Sequence, residues 1–304
     1  MQILFHDNVF SVTVTGCNRP VGNVRTESEI AARNLYNQNN KIMLGLSGGL
    51  DSQIVLHSFY SQSIPLSCAF LYMPGFNDVE YNNVVILENK FNLDLTIIDL
   101  DPNIHKDELI EEYNVTGIPP FQLLHKKFLS LLPTDYDFIM GLDGPDFVHK
   151  NNTWNVIQTA NSFVNSRTIA MQMLPRTGQI IAWEKIPEIL LSILTDDAIT
   201  SYMCAHKYIV GNGLSYQGDV SVPLIDHFDL YMKPFMYAKY WGNELEYFPK
   251  YQGPENISWI MNTKWHDYRK NIVFLPYHEL ITCLQHNQTK TYHQEKRKAP
   301  EGAF

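Results

Sequence analysis

The chain has 304 residues, 45% of them hydrophobic, and a formal net charge of −9. That hydrophobic share supplies a globular core, and the acidic balance argues against a nucleic-acid partner held by its phosphate backbone. The four cysteines, Cys17, Cys68, Cys204 and Cys283, are far apart and form no C-x-x-C pair, so neither a structural zinc site nor a disulfide framework is expected. A reducing, cytoplasmic location is expected. The first residues lack a basic region followed by an apolar core, and no apolar stretch reaches membrane-spanning length.

Residues 1 to about 25 alternate apolar and polar side chains, as in Val9-Phe10-Ser11-Val12-Thr13-Val14, with turn residues at Asn18 to Pro20. This predicts a β-hairpin, so residues 1–40 read as a β extension and linker. From 41 to 150 the pattern is strand-helix alternation. Strands are predicted over 42–46, 66–72, 94–100 and 136–141, and helices over 50–62, 78–91 and 120–132. Nearly all-apolar strands between helices predict an α/β domain, a parallel sheet with helices on both faces. Ligands of such sheets lie beyond the carboxyl ends of the strands, where Ser47, Tyr72 and Gly141 are expected to converge. From 151 to 287 the pattern reads as helical, with helices over 153–165, 184–194, 196–209 and 228–240, Pro187 in the first turn of the second, and no clear strand. Residues 288–304 are polar, include Glu295-Lys296-Arg297-Lys298, and read as a loosely ordered tail.

Chemistry concentrates at Ser47-Gly48-Gly49-Leu50-Asp51-Ser52, between the first predicted strand of the sheet and its helix. A glycine pair there aims backbone N–H groups one way, and with the positive end of the helix dipole they make an anion site. The serines add hydroxyl donors, and Asp51 adds a charge suited to holding Mg²⁺ against phosphate oxygens. The loop predicts binding of a nucleotide's phosphates. G-x-x-x-x-G-K-[ST] is absent, which argues against kinase-like or GTPase-like chemistry. A second motif, Gly141-Leu142-Asp143-Gly144-Pro145-Asp146, puts two carboxylates three residues apart at a strand end. On spacing alone it reads equally as a solvated Asp-Gly-Pro turn or as a second metal ligand set. The eleven histidines show no zinc spacing, and His149, just past the second motif, reads either as a phosphate contact or as an ordinary structural residue.

Ser47 to Ser52 resembles the PP-loop of the N-type ATP pyrophosphatases, which split ATP between its α and β phosphates. Gly141 to Asp146 is similar to the second pyrophosphate loop of asparagine synthetase, with Asp143 in place of a glutamate, Asp146 in place of the metal-binding aspartate, and Phe147 a departure. Met73 to Tyr81 resembles the segment after that family's second strand. Gly218 to Asp226 resembles E-V-R-V-P-F-L-D, keeping Val220, Val222, Pro223 and Asp226, but Ser221 stands where an arginine belongs. The resemblance covers roughly residues 41 to 270 and points to the synthetase domain of asparagine synthetase and β-lactam synthetase. It implies a Rossmann-like, adenine nucleotide α-hydrolase-like fold and an AMP- and pyrophosphate-forming carbon-nitrogen ligase using ATP and Mg²⁺. It further implies that Asp51 and Asp146 hold the metal, that Ser47, Gly48, Gly49, Leu50 and Ser52 with Gly141 and Gly144 bind the nucleotide, and that adenine lies near Leu46, Leu71 and Tyr72. Asp143 and Lys264 are expected in catalysis with Asp51, with Arg269 and Lys270 as rivals for the cationic role. Gln2 follows Met1 and about 40 residues precede the loop, so no glutaminase activity is expected. Small-molecule carboxylate and amine substrates, or a separate ammonia-supplying subunit, are the expected partners. Two other readings are a PP-loop enzyme modifying a nucleobase or tRNA, and a non-catalytic nucleotide-binding module.

Overall fold

The computed structural model describes residues 1–6, 9–38, 41–141, 145–150, 153–159, 163–201, 203, 233–248, 259–260 and 272–294. In chain order, β1 (Gln2–His6) and β2 (Val9–Thr15) lead to α1 (Val24–Asn37), then β3 (Lys41–Gly45), α2 (Leu50–Tyr60), β4 (Ser67–Tyr72), α3 (Asp78–Phe91) and β5 (Asp94–Asp99). There follow α4 (Lys106–Thr116), α5 (Pro120–Ser130), β6 (Tyr136–Met140), β7 (Asp146–Lys150), β8 (Thr153–Thr159), α6 (Phe163–Gln172) and β9 (Ile180–Ala182). The last described elements are α7 (Pro187–Leu194), α8 (Lys233–Trp241), β10 (Ile272–Pro276), α9 (Tyr277–Gln285) and β11 (Thr289–His293).

The centre is a five-stranded parallel sheet in the order β5-β4-β3-β6-β9. Its middle strands are short apolar runs, Ile42-Met43-Leu44 and Phe138-Ile139-Met140, buried on both faces as a helix-covered parallel sheet requires. Alternation along each strand divides the core. Leu44, Cys68, Phe70 and Ile139 pack with α1, α2, α3 and α7 on one face. Met43, Ala69, Leu71, Phe138 and Met140 pack with α4, α5 and α6 on the other. The chain winds outward from β3 through β4 to β5, then crosses back to place β6 on the other side of β3. This reversal opens a crevice at the carboxyl ends of β3 and β6.

The doubly wound α/β fold is as expected, and α3 begins and ends at the predicted residues. Several local expectations are corrected. Residues 153–165 do not form one helix: Thr153–Thr159 is a strand, paired antiparallel with β7 and β10 in a second sheet of order β10-β8-β7. Its β-branched Thr153, Val156, Ile157 and Thr159 favour a pleated surface, and the helix starts only at Phe163. Strands therefore do follow residue 151. Within 1–40, residues 24–37 are helical, opened by Asn23, whose side chain accepts from the Thr26 amide. The expected tail begins with a strand: Thr289–His293 pairs antiparallel with β2, completing a third sheet of order β1-β2-β11. No described helix is long and apolar enough to cross a membrane.

Candidate functional site

The Ser47–Ser52 loop leaves β3 at the crevice and turns into α2. Gly48 has φ +75, and a Cβ there would come within 3.1 Å of the Asn83 Cβ. The backbone angle strains any side chain and the Asn83 contact is tight, so Gly48→Ala is expected to cost about 1–2 kcal/mol, read as a lowered thermal unfolding midpoint. α2 begins after Gly49 with no side-chain cap, so the positive end of its dipole lies at the loop. Serine hydroxyls stand in for an anion at the loop's other donors. The Ser47 amide donates to Ser52 Oγ at 3.2 Å, the Gly49 amide to Ser47 Oγ at 3.4 Å, and the two hydroxyls are 3.2 Å apart. These amides are thus engaged rather than bare, but by long bonds that a charged oxygen can outcompete. Gln53 braces the loop from below. Its amide nitrogen donates to the Gly48 and Glu246 carbonyls at 2.9 Å each, and its oxygen accepts from the Glu246 amide at 2.8 Å.

Gly141, just past β6, closes the other side. A Cβ on it would come within 3.1 Å of the Ser52 nitrogen and 3.3 Å of the Asp51 carbonyl carbon, so the absence of a side chain lets the strand end touch the start of α2. Leu46, Ser47, Asp51, Ser52, Leu71 and Gly141 all line one cavity of about 390 Å³ at the sheet's carboxyl edge. Tyr72 does not line it: one residue beyond Leu71, it faces the opposite side of the sheet, and its hydroxyl donates to Asp78 at 2.8 Å. Leu50 likewise packs toward the opposite core.

The sequence reading missed the groups that meet Asp51. Lys233 Nζ lies 2.6 Å from Asp51 Oδ2, and the Tyr237 hydroxyl donates to Oδ1 at 2.6 Å. Lys233 and Tyr237 are one turn apart on α8, so both project from the same face. The Lys233 side chain is 9% exposed and that of Asp51 31%, so the pair is only partly screened by water. The segment after α8 is tied to the same region, with Arg25 bonded to Glu244 at 2.7 Å and Lys90 to Glu246 at 2.5 Å.

A magnesium ion held mainly by phosphate oxygens asks the protein for one or two carboxylates. Asp51 fits that demand, a hard oxygen pair lining the cavity beside the loop, although an ion there must share the carboxylate with Lys233. Among the described residues no cluster of three or more His, Cys, Asp or Glu side chains could hold a metal by itself. Asp146 opens β7 with its backbone paired to Ile157. Its side chain and that of His149 lie outside the described residues, as do Asp143, Gly144, Lys264, Arg269, Lys270 and the whole segment 218–226 with Ser221.

Away from the loop, the cavity wall carries His125 and Arg167. Burial, then the neighbouring Arg167 charge, push the His125 imidazole down to about 3, against a weaker opposing effect of its bond to the Phe121 carbonyl. His125 Nδ1 is 2.8 Å from that carbonyl oxygen, which can only accept, so Nδ1 carries the proton. The native state thus binds fewer protons than the unfolded chain between about pH 6.5 and 3, and stability falls as pH drops through that window. His125→Phe is expected to remove about 1–2 kcal/mol of the loss between pH 7 and 5, measured by urea unfolding at both pH values.

No family model matches the chain. An uncharacterized protein of Methanocaldococcus jannaschii is 34% identical over 64 residues, which are 21% of this chain and 25% of that protein. The match therefore spans a quarter of that relative's length. Among solved structures, the chain is similar to an NH3-dependent NAD synthetase from Campylobacter jejuni, determined in complex with the nitrate ion. The TM-score is 0.35 and the identity 12%, over 75% of this chain and 97% of that one. It is also similar to an NMN synthetase from Francisella tularensis, with a TM-score of 0.31 and 14% identity over 75% and 99% of the two chains. Likeness of this degree assigns no activity to the chain.

Proposed function

We propose that this protein is an ATP-dependent, AMP- and pyrophosphate-forming ligase that adenylates a carboxylate and passes it to ammonia or an amine. The observation that carries the reading is the convergence of the Ser47–Ser52 loop, an uncapped helix start and the Asp51–Lys233 pair on one cavity at the strand switch point. The PP-loop resemblance of that loop supports phosphate binding, and the order of the later motifs supports carboxylate activation.

In the first step a substrate carboxylate oxygen bonds to the α-phosphorus of ATP, the bond to the bridging oxygen breaks, and pyrophosphate leaves with that electron pair. In the second, ammonia or an amine bonds to the acyl carbon, AMP leaves, and one proton is released. Ser47, Gly48, Gly49 and Ser52 hold the phosphate tail through preorganised donors. Lys233 offers a cation where negative charge grows, a role the sequence alone placed on Lys264. Tyr237 orients the Asp51 carboxylate. Asp51, with Asp146 as its proposed second ligand, would hold Mg²⁺, which neutralises charge on the departing pyrophosphate.

The test is a pyrophosphate-release assay with ATP, Mg²⁺, ammonium and a panel of carboxylates. Carboxylate-dependent pyrophosphate and AMP, with no ADP, are expected. A nucleotide-binding module without turnover has one observation in its favour, that both Asp51 oxygens already accept from Lys233 and Tyr237. ATP binding with no product on any carboxylate would establish that alternative.

A further inference from the structure

Gln53 stands just past the six residues that carry the family resemblance, in the first turn of α2. Its side chain is fully buried and spends all of its hydrogen bonds on backbone. One of those bonds reaches into the phosphate loop, where Nε2 donates to the Gly48 carbonyl at 2.9 Å. In a trans peptide the carbonyl and the amide of one plane point opposite ways. Drawing the Gly48 carbonyl toward Gln53 therefore turns the Gly49 amide the other way. That amide points to Ser47 Oγ at 3.4 Å, and Ser47 lines the cavity.

Two consecutive glycines also permit the reverse arrangement. With no Cβ on either side, the plane between Gly48 and Gly49 can turn over at little cost. The turned plane would present a carbonyl oxygen to a bound phosphate and take the amide away. The glycine pair thus makes the cradle possible without deciding its polarity, and the bond from Gln53 decides it.

The same side chain grips a distant part of the chain. Nε2 also donates to the Glu246 carbonyl at 2.9 Å, and Oε1 accepts from the Glu246 amide at 2.8 Å. Glu246 lies a few residues beyond the end of α8, whose Lys233 and Tyr237 hold Asp51. One segment therefore holds the first turn of α2 twice, at Asp51 from its start and at Gln53 from its end.

We propose that Gln53 is a positioning residue for the phosphate loop. It fixes the Gly48–Gly49 peptide with its amide toward the bound phosphate, and it ties that orientation to the docking of residues 233–248. Phosphate binding and docking of the segment then favour each other, and the coupling is reciprocal. The proposal rests on the phosphate-binding part of the reading above and not on the identity of the carboxylate or the amine.

The experiment is calorimetric titration of the full chain with magnesium pyrophosphate, well below the unfolding midpoint. Gln53→Met fills the same space without the bonds and is expected to weaken binding at least tenfold. At saturation the Gly49 amide resonance should move downfield in the unaltered chain and stay in place in the variant. Chymotrypsin reads the coupling, because Tyr247 in the segment is exposed. Pyrophosphate should slow cleavage after Tyr247 at least threefold in the unaltered chain and not in Gln53→Met. Glu246→Pro provides a second variant should Gln53→Met fail to fold. It removes only the amide that Gln53 accepts from, and Leu245, with ψ 139, already has the backbone angle of a residue before proline. It is expected to weaken pyrophosphate about threefold and to lose the protection of Tyr247. Unaltered affinity in whichever variants fold, even with a lowered midpoint, would make Gln53 a packing residue and overturn the proposal. Pyrophosphate that binds the unaltered chain but leaves cleavage after Tyr247 unchanged overturns it as well. A chain that binds no pyrophosphate overturns the phosphate-loop reading itself, and the proposal with it.

Discussion

Asp51→Asn is expected to slow pyrophosphate release about a hundredfold, and Lys233→Met by a similar factor, each without loss of the fold. The size follows from what the pair does. Asp51 lines the cavity and meets Lys233 at 2.6 Å, where water screens the pair only in part. Removing one preorganised charge at a reacting phosphate typically costs about 10²–10³ in rate. Asparagine keeps an oxygen that can accept from Tyr237, so the loop and α8 remain joined while the charge is gone. The double variant is expected to be less than additive in its effect, because the two side chains removed are in direct contact. Steady-state rates of all three variants, with unfolding midpoints as a control on structure, make the check. A rate within a few-fold of the unaltered protein for Asp51→Asn would remove Asp51 from the reaction.

The largest expected effect on stability lies at the opposite end of the sheet. Gly178 leads the chain into β9 directly against β6. A Cβ there would sit 2.0 Å from the Tyr136 carbonyl oxygen and 2.3 Å from its carbon, closer than any packing allows. The obstacle is backbone on both sides. The Gly178 amide donates to the Thr134 carbonyl at 2.9 Å, the Gln179 amide to Asp137 Oδ1 at 2.7 Å, and the Phe138 amide to the Gln179 carbonyl at 2.8 Å. Gly178→Ala must push β9 away from β6 and strain these bonds, at a cost of about 3 kcal/mol or more. A drop in the unfolding midpoint on the order of 5–10 °C is expected by scanning calorimetry. Because Tyr136 begins β6 and the phosphate loop lies past the other strand ends, activity well below the midpoint should stay within a few-fold. The same substitution at Gly141, against Ser52, should harm activity first.

The parallel sheet was legible because burial on both faces leaves an apolar run, as in Ile42 to Leu46 and Cys68 to Leu71. The helices that went unread bury little or bury small side chains. α4 buries only Leu109, and α1 turns Glu27, Ser28, Ala31 and Ala32 inward, where an apolar stripe was sought. β9 has three residues, and β11 exists only because β2 lies alongside it, with nearly the whole chain between them. Such pairing is set by tertiary structure and leaves no local period. The loop was legible for the opposite reason, since its glycines and serines carry their chemistry within six consecutive residues. Lys233 was not, because 182 residues separate it from Asp51 and a lysine within a helix reads as solvated. A signal was nonetheless present: Lys233 and Tyr237 stand at i and i+4, the spacing that aims two polar groups at one partner.

The central claim is that the Ser47–Ser52 loop grips a phosphate tail. The most direct measurement is an NMR titration of the isotope-labelled chain with magnesium pyrophosphate, following assigned backbone amides. The account predicts saturable shifts centred on Ser47, Gly48, Gly49 and the first turn of α2, and their loss in Gly48→Ala. Pyrophosphate that leaves those amides unmoved, or moves a different set, would contradict it.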